Sequence, residues 1–576
     1  MKQGNQTSNL GTLEKAVYAT LQELQASSTI KRLWNNDTTL WKKDPEHGKA
    51  IRNRLGWLTS VDWLQSQVVD LLTFQKEVIA AQFSHAVLLG MGGSSLAPEV
   101  LSQTFGPVRQ MPRFFVLDST DPNQVLKVEK EINLAKTLFI VSTKSGTTLE
   151  TLSFYHYFFE KVKKEKGSQA GEQFVAITDS GAPLEQEAKA LGFRRVFINP
   201  SNIGGRFSVL SYFGMVPASV MGVDVAKLID RIAREKKLST PQAANDISPA
   251  SFLGVVVAEA VKQGRDKLTI FMAPEVSSYG LWIEQLLAES LGKEGKGVIP
   301  IFGEILADPE YYQNDRLFVF LHCGTVDSKV VSKINSLRKT NHPVIEIALS
   351  DPYDLGEQFY RWSFATAVAG VRIGINPFDE PNVQEAKTWT SSLLKEREDH
   401  GKFPKFPVHF RGENFEANFG EATEHLLRDG KDLASFLTLL KKGDYISLCA
   451  YLPYESTIEE TFARFRLKLR DVTKHATMFG FGPRYLHSTG QLHKGGPNSC
   501  VMILFTADSK GDVPIPGQSF TFRELEYAQG MGDFRALDAK ERRVVHFHLK
   551  QPILNALLEV EKLLAQALMA VSFGTR

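Results

Sequence analysis

The feature that most constrains the fold is a regular alternation of short apolar runs with longer segments of helical periodicity. Five such runs follow one another: HAVLLG (85–90), RFFVLD (113–118), TLFIVS (137–142), QFVAIT (173–178) and RVFIN (195–199). Short apolar strands alternating with helices are typical of a parallel, doubly wound sheet. In such a sheet, ligands bind outside the carboxyl ends of the strands, where the strand order reverses.

A second, shorter series of the same kind follows: KLTIFMA (267–273), RLFVFLH (316–322) and PVIEIAL (343–349). The sequence therefore predicts an α/β protein with two doubly wound parallel-sheet domains, a helical N-terminal lead-in and an additional α+β C-terminal domain. The predicted boundaries are 1–80 for the helical segment, 81–240 and 241–390 for the two sheet domains, 391–430 for a connecting segment, and 431–576 for the C-terminal domain.

Composition excludes several classes of function. The 576 residues are 43% hydrophobic and 23% charged, which is typical of a globular protein, and no apolar run is long enough to span a bilayer. A net charge of +2, spread along the chain, gives no reason to expect nucleic acid or a membrane as partner. The three cysteines, Cys323, Cys449 and Cys500, are far apart and predict neither disulfides nor a metal site. With no apolar leader at the start, we expect a cytoplasmic protein.

Two segments rich in glycine and hydroxyl side chains follow strands of the first series. GMGGSSLAP (90–98) comes after the first strand, and STKSGTTLET (142–151) comes after the third. Backbone amides at a helix N-terminus attract anions, and short hydroxyls add donors. Each segment alone is also consistent with a capped turn, and Ser95 replaces the third glycine of the dinucleotide fingerprint. Together, at neighbouring strand ends, they favour a phosphate site.

Two charged residues stand beside apolar helical runs. Arg206, in SNIGGRFSVLSYFG, can hold a carboxylate or an oxyanion through two parallel hydrogen bonds. Glu289, in WIEQLLAESLGKEGKG, stands late in an apolar helix, where a raised pKa would suit a general base. In isolation, a solvated side chain is the commoner explanation for either residue.

Five motifs occur in the order GMGGSSLAP, STKSGTTLET, GGRFS, AESLGKEGKG and NPFDEPNVQEAK, and together they resemble those of glucose-6-phosphate isomerases. The resemblance covers residues 85–390 and implies two sugar-isomerase (SIS) domains. It also implies interconversion of D-glucose 6-phosphate and D-fructose 6-phosphate through a cis-enediolate, with no metal or redox cofactor. The C-terminal region resembles the isomerase half of bifunctional transaldolase/glucose-6-phosphate isomerases.

The resemblance assigns roles to individual residues. Arg206 would stabilise the enediolate, Glu289 would move the proton between C2 and C1, and Lys387 would help to open the pyranose ring. Glu380 stands where the family has glutamine, and we expect it to contact the substrate. The remaining expected substrate contacts are Gly93 and Ser94 at the sugar, and Thr143, Lys144, Ser145, Thr147 and Thr148 at the phosphate.

The family's ring-opening histidine is missing from its usual place, since the segment 299–316 contains none. The pattern His-Ser-x-Gly-Gln instead occurs about 200 residues later, in RYLHSTGQLHKGGPN (484–498). We therefore expect the C-terminal domain to deliver His487 to the active site. The alternative is a glycine-rich loop with solvated histidines.

Two alternative functions remain open at this point. One is a dual phosphoglucose/phosphomannose isomerase, because discrimination at C2 depends on very small displacements of the base. The other is a non-catalytic sensor that binds sugar phosphates. The family resemblance suggests a homodimer, although the additional C-terminal domain leaves the oligomeric state open.

Overall fold

A computed structural model describes residues 2–241, 247–427 and 430–574. The strands are β1 (Lys2–Gln3), β2 (Gln6–Asn9), β3 (His85–Gly90), β4 (Arg113–Leu117), β5 (Thr137–Ser142), β6 (Phe174–Asp179), β7 (Arg195–Asn199), β8 (Lys267–Met272), β9 (Ile299–Phe302), β10 (Arg316–Cys323), β11 (Val344–Leu349), β12 (Phe410–Arg411), β13 (Phe415–Phe419), β14 (Tyr445–Ala450), β15 (Ala476–Phe481), β16 (Cys500–Ala507) and β17 (Arg543–Leu549).

The helices are α1 (Glu14–Ala26), α2 (Thr29–Trp34), α3 (Pro45–Arg52), α4 (Ser60–Ala80), α5 (Leu96–Phe105), α6 (Pro122–Glu131), α7 (Leu149–Lys166), α8 (Pro183–Ala190), α9 (Tyr212–Met221), α10 (Val225–Leu238), α11 (Pro249–Lys262), α12 (Tyr279–Leu291), α13 (Ser328–Lys339), α14 (Leu355–Ile373), α15 (Val383–His400), α16 (Glu421–Leu426), α17 (Leu433–Leu437), α18 (Ser456–Thr473), α19 (Gly490–Gly495), α20 (Phe522–Asp538) and α21 (Ile553–Gly574). Among the described residues, none of these helices has the length and apolar character needed to cross a bilayer.

The first sheet contains the five strands predicted from the first series, in the order β4-β3-β5-β6-β7, all parallel. Each strand is followed by a helix or a helical turn that returns the chain to the other end of the sheet. The strand order reverses between β3 and β5. The glycine-rich loop and the hydroxyl-rich loop leave these two strands, and they therefore flank the switch point, where a sheet of this kind binds its ligand.

The second sheet has the order β1-β2-β11-β10-β8-β9. The three predicted strands are present and parallel, and the four-residue strand β9 joins them at one edge. The segment 1–80, predicted as helical, is helical except at its start, where β2 pairs antiparallel with β11. The sequence QTSN of β2 has no strand pattern. Its backbone forms a strand because the edge of β11 offers unpaired N–H and C=O groups. The predicted boundary at 240/241 adjoins residues 242–246, which lie outside the described residues.

The third sheet, in the C-terminal part, has the order β12-β13-β17-β16-β14-β15. Strands β14 to β17 are parallel, so this region is a mixed α/β layer rather than the predicted α+β arrangement. Sequence patterns missed β15, whose residues ATMFGF include a polar threonine and a glycine. The predicted connecting segment 391–430 also carries β12 and β13, which extend this sheet as an antiparallel pair.

Strand β15 lies beside β9 of the second sheet, and charged side chains tie this strand and the turn after it to the first two sheets. Glu304, which follows β9, pairs with Arg316 at 3.2 Å and accepts a hydrogen bond from the backbone amide of Thr477 at 3.0 Å. Just after β15, Arg484 donates two hydrogen bonds, of 2.7 and 2.8 Å, to Asp118 at the end of β4. The turn that follows β15 is therefore tied to the carboxyl edge of the first sheet.

We predict that Asp118→Asn lowers the free energy of unfolding by about 3–5 kcal/mol, because it leaves the Arg484 guanidinium without a counter-charge. Chemical denaturation of the full chain measures the loss. Glu131→Gln is the matched control, since it neutralises the exposed pair with Arg113 and should cost less than about 1 kcal/mol. Equal losses in the two variants would contradict the role given to the Arg484–Asp118 pair.

Candidate active site

Three loops converge at the switch point of the first sheet. The Ser142 hydroxyl donates to the Ser94 carbonyl at 3.3 Å, which joins the hydroxyl-rich loop to the glycine-rich loop. The Ser208 hydroxyl donates to the Gly93 carbonyl at 3.2 Å and brings in the segment that carries Arg206. A Cβ on Gly93 would lie 2.0 Å from the Gly205 carbonyl oxygen, so only glycine permits this approach.

The hydroxyl-rich loop ends at the N-terminus of the 18-residue helix α7. The Thr143 and Thr148 hydroxyls lie 2.9 Å apart, as do those of Ser145 and Thr147. Ser145 and Thr147 are exposed, so their hydroxyls and the first amides of α7 can meet an anion. The Lys144 ammonium is ion-paired with Asp179 and donates to the Ser201 carbonyl at 2.8 Å, so its charge is already partly compensated.

The buried Arg206 guanidinium links the carboxylates of Glu289 and Glu380. Its Nη1 atom lies 2.9 Å from Glu289 Oε1 and 3.0 Å from Glu380 Oε2. Glu289 is in the last turn of α12, with 13% of its side chain exposed, whereas Arg206 is only 2% exposed. The structure thus brings together a cation and the carboxylate that the sequence predicted as a base.

Burial shifts the protonation of this group of side chains. It raises the pKa of Glu289 above its ordinary value, and the positive charge of Arg206 opposes this shift only in part. Burial, together with the nearby Arg206, also lowers the pKa of Lys293 to about 8, although Lys293 pairs with Asp379 at 2.8 Å. Glu289 is therefore a stronger base than a solvated glutamate, as a proton-transfer role requires.

His487 reaches this site from the C-terminal part of the chain. Its Nε2 atom lies 2.9 Å from Oε1 of Glu150, in the first turn of α7. Burial acts to raise the pKa of Glu150, but His487, a backbone hydrogen bond and the charge of Lys387 together outweigh that effect, and the pKa is lowered. Because an ionised carboxylate only accepts hydrogen bonds, Nε2 carries the proton and Nδ1 is the atom that can exchange one.

Hydrogen bonds from two glutamine side chains join the segment around His487 to the motifs that contain Glu289 and Lys387. The Gln285 amide donates to the His487 carbonyl at 2.8 Å and to Glu289 at 3.1 Å. Farther along the same segment, the Gln491 amide donates to Asn382 Oδ1 at 2.8 Å and to the Gly292 carbonyl at 3.1 Å. The C-terminal segment is thus connected both to the helix of Glu289 and to the loop that precedes Lys387.

Lys387 and Gln529 lie around the Glu150 carboxylate. Lys387, on α15, is exposed and close enough for its charge to help lower the pKa of Glu150. Gln529, on α20, donates to Glu150 at 2.7 Å and accepts from the Thr120 hydroxyl at 2.7 Å. Sequence patterns gave no sign of Gln529, whereas Glu150 stands inside a recognised motif and could have been inferred as the carboxylate that orients His487.

Three other histidines, His322, His342 and His493, have contacts of their own. His322 pairs with Glu346 at 3.2 Å, and His342 stacks edge-on against Phe318. His493 is buried against Tyr445, and burial lowers its pKa to about 3. Within the described ranges, no group of three histidine, cysteine or acidic side chains could hold a metal ion.

Comparison with known proteins is consistent with this geometry. Residues 74–295 match the phosphoglucose isomerase family profile. A probable glucose-6-phosphate isomerase of Methanococcus maripaludis is 31% identical over 379 residues, which cover 59% of this chain and 84% of that protein. The glucose-6-phosphate isomerase of Carboxydothermus hydrogenoformans is 28% identical, with 60% and 86% covered. The chain belongs to the glucose-6-phosphate isomerase family.

The same family is represented among solved structures. A glucose-6-phosphate isomerase from Chlamydia trachomatis superposes with a TM-score of 0.51 at 20% identity, and the match covers 67% of this chain and 86% of that one. This likeness confirms the α/β fold with two SIS-type sheets. The individual roles predicted for the site residues remain predictions.

We predict that Gly92→Ala loosens the segment that carries His487. A Cβ at this position would lie 2.9 Å from the His487 carbonyl oxygen, and the residue has a φ of +54°. Hydrogen–deuterium exchange in residues 484–495 should rise. Gly181→Ala is the control, because Gly181 has a φ of +79° but open space around its Cβ position. Similar protection of 484–495 in both variants would contradict the proposed contact.

Proposed function

We propose that this protein interconverts D-glucose 6-phosphate and D-fructose 6-phosphate by proton transfer within one active site. The observation that carries the proposal is the Glu289–Arg206 contact of 2.9 Å beside the hydroxyl-rich loop. Membership of the glucose-6-phosphate isomerase family supports the choice of substrate. The proposed compartment is the cytoplasm, in line with the three free cysteines.

In this proposal, the phosphate occupies the loop of residues 143–148. The Ser145, Thr147 and Thr148 hydroxyls and the amides that open α7 donate hydrogen bonds to it, and the helix dipole favours its charge. The sugar then extends toward Gly93 and Ser94, on the neighbouring loop. Fixing the phosphate in this way presents C1 and C2 to the carboxylate of Glu289.

Proton transfer then proceeds through a cis-enediolate. Glu289 removes the proton from C2 of the open-chain aldose, and the C–H electrons form the C1–C2 double bond while O1 takes the negative charge. After proton exchange between the two oxygens, Glu289 returns its proton to C1 and O2 becomes the ketone. Once Glu289 is protonated it is neutral, so the Arg206 charge is available for the developing oxyanion.

Ring opening is assigned to His487, with Lys387 nearby. Glu150 holds His487 Nε2–H, so Nδ1 can exchange a proton with the ring oxygen or the anomeric hydroxyl. Gln529 acts as a positioning residue, because it donates to the same Glu150 oxygen that faces His487.

The proposal is tested by a coupled assay with fructose 6-phosphate and glucose-6-phosphate dehydrogenase. Glu289→Gln keeps the size of the side chain but removes the base, and turnover should fall by at least about 10²–10⁴-fold. Glu284→Gln is the matched control, because Glu284 is a buried carboxyl on the same helix that has no role in the proposal. If the wild-type protein is folded and binds the sugar phosphate but shows no turnover, it is a non-catalytic sensor and the proposal is wrong.

The pH profile gives a second prediction. Glu289 must be ionised to act as a base, so activity falls as pH decreases through its raised pKa, and the acid limb lies above the ordinary glutamate value of 4.5. The negative charge of Glu380 contributes to that raised pKa, so Glu380→Gln should move the acid limb of kcat/KM to lower pH. A limb that stays in place or moves to higher pH would contradict the assignment of Glu289.

A third prediction concerns the pair formed by His487 and Glu150. His487→Ala and Glu150→Gln should each reduce turnover, and the double variant should lose little more than the stronger single variant, because the two residues act as one unit. The measurement is a double-mutant cycle, in which steady-state kinetics are compared for the wild type, the two single variants and the double variant. Additive losses on a logarithmic scale would contradict a shared role.

A further inference from the structure

One buried carboxylate holds both ends of the segment that carries His487. Asp533, on α20, accepts hydrogen bonds from the Tyr485 hydroxyl at 2.6 Å and from the Lys494 ammonium at 2.6 Å, one on each of its oxygens. Tyr485 stands two residues before His487, and Lys494 stands seven residues after it. These three partners, hereafter the Asp533 cluster (Tyr485, Lys494 and Asp533), are each at most 2% exposed. The cluster therefore joins the two ends of the segment 485–494.

The same helix also contacts the carboxylate that pairs with His487. Gln529 lies one helical turn before Asp533, so the two side chains are on the same face of α20. Gln529 donates to Glu150 Oε1 at 2.7 Å, and His487 Nε2 lies 2.9 Å from that oxygen. One face of α20 thus contacts both the segment that carries the imidazole and the carboxylate that orients it.

Stability is a weak reason for the buried pair of Lys494 and Asp533. Two charges lose much of their hydration on burial, and apolar side chains of similar volume often give a protein of equal or greater stability. An ion pair with short hydrogen bonds differs from apolar packing in that it fixes both distance and direction. Orientation of the segment 485–494 is therefore the stronger reason for this cluster.

We propose that Asp533 is a positioning residue for ring opening, which fixes His487 by holding Tyr485 and Lys494 on either side of it. The inference rests on the part of the proposed function that assigns ring opening to His487. Asp533 is completely buried, so it acts through the segment and does not touch the substrate. Because a displacement of about 1 Å at a reacting group can cost about 10²-fold in rate, loss of this restraint should slow the step that His487 performs.

Ring opening can be measured apart from isomerisation. The C1–O5 bond breaks as O5 gains a proton and O1 loses one, and closure on the other face of C1 reverses these transfers. The α and β anomers of glucose 6-phosphate then exchange, with no proton removed from C2. Glu289→Gln removes the base at C2 but keeps His487, so two-dimensional exchange NMR with this variant reports ring opening alone. We expect it to accelerate anomer exchange above the rate in buffer, and Glu289→Gln/His487→Ala to lose that acceleration.

The test replaces the whole Asp533 cluster in the Glu289→Gln background. Tyr485→Phe/Asp533→Leu/Lys494→Met substitutes apolar side chains of similar size and leaves no charge unpaired, so we expect a folded protein. Its anomer exchange should be slower by about 10- to 100-fold. Glu235→Leu/Arg361→Met is the matched control, because it removes another buried ion pair, of 2.7 Å, between α10 and α14, and should leave the exchange rate unchanged. Chemical denaturation shows whether both proteins are folded.

If the triple replacement does not fold, Tyr485→Phe takes its place, because it removes one hydroxyl and no charge. We then expect about a tenfold loss of anomer exchange. The inference is overturned if the folded variant exchanges anomers as fast as Glu289→Gln alone, or if Glu289→Gln exchanges them no faster than buffer. Loss of exchange as expected, in a protein whose wild type does not isomerise fructose 6-phosphate, would support this inference and overturn the proposed isomerase function alone.

Discussion

The active site depends on one buried cation. Arg206, which is 2% exposed, donates to Ser290, to the Pro377 and Asp379 carbonyls and to Glu380, and its fifth contact is Glu289. A guanidinium out of contact with water needs this many partners, because an unpaired buried charge is very costly. The partners come from helix α12 and from the segment after α14. The requirement to satisfy Arg206 therefore draws the first sheet and the second into one site.

The third part of the chain completes that site. In this fold, strand β15 ends beside the carboxyl edge of the first sheet, where Arg484 is tied to Asp118. Three residues later, His487 meets Glu150 on α7. A histidine about 200 residues beyond Glu289 in sequence is thus adjacent to it through Gln285, which contacts both. Spatial arrangement around the reacting groups, and not chain order, is what an active site requires.

Much of the fold was predictable, because apolar runs of five or six residues between helices form a strong signal. All five strands of the first sheet occur where the runs predict them, to within one residue at each end. Strands without that signal were missed. β2 depends on pairing with β11, and β15 carries Thr477 and Gly480 in place of a continuous apolar run. In each case, tertiary contacts override a weak local pattern.

The same distinction, between residues marked by a local sequence pattern and residues defined by tertiary contacts, holds at the active site. Residues inside contiguous motifs, such as Arg206 and Glu289, could be proposed from sequence because glycines or an apolar helix surround them. Gln529 could not, since its only distinction is a contact made across the fold with Glu150. Lys144 was expected to offer its charge to a phosphate, but the structure pairs it with Asp179, a residue at the end of a different strand. Long-range polar partners are the part of a site that local sequence does not encode.

A crystal structure with fructose 6-phosphate bound would show whether Glu289 and the C-terminal His487 act on one sugar. We expect the phosphate at residues 143–148 and C1 and C2 within about 3–3.5 Å of the Glu289 carboxylate. We also expect His487 Nδ1 within hydrogen-bond reach of the ring oxygen or the anomeric hydroxyl. A sugar bound with Glu289 at C1 and C2 but with His487 out of reach would contradict the role of the C-terminal part. A phosphate held away from the hydroxyl-rich loop would contradict the site as a whole.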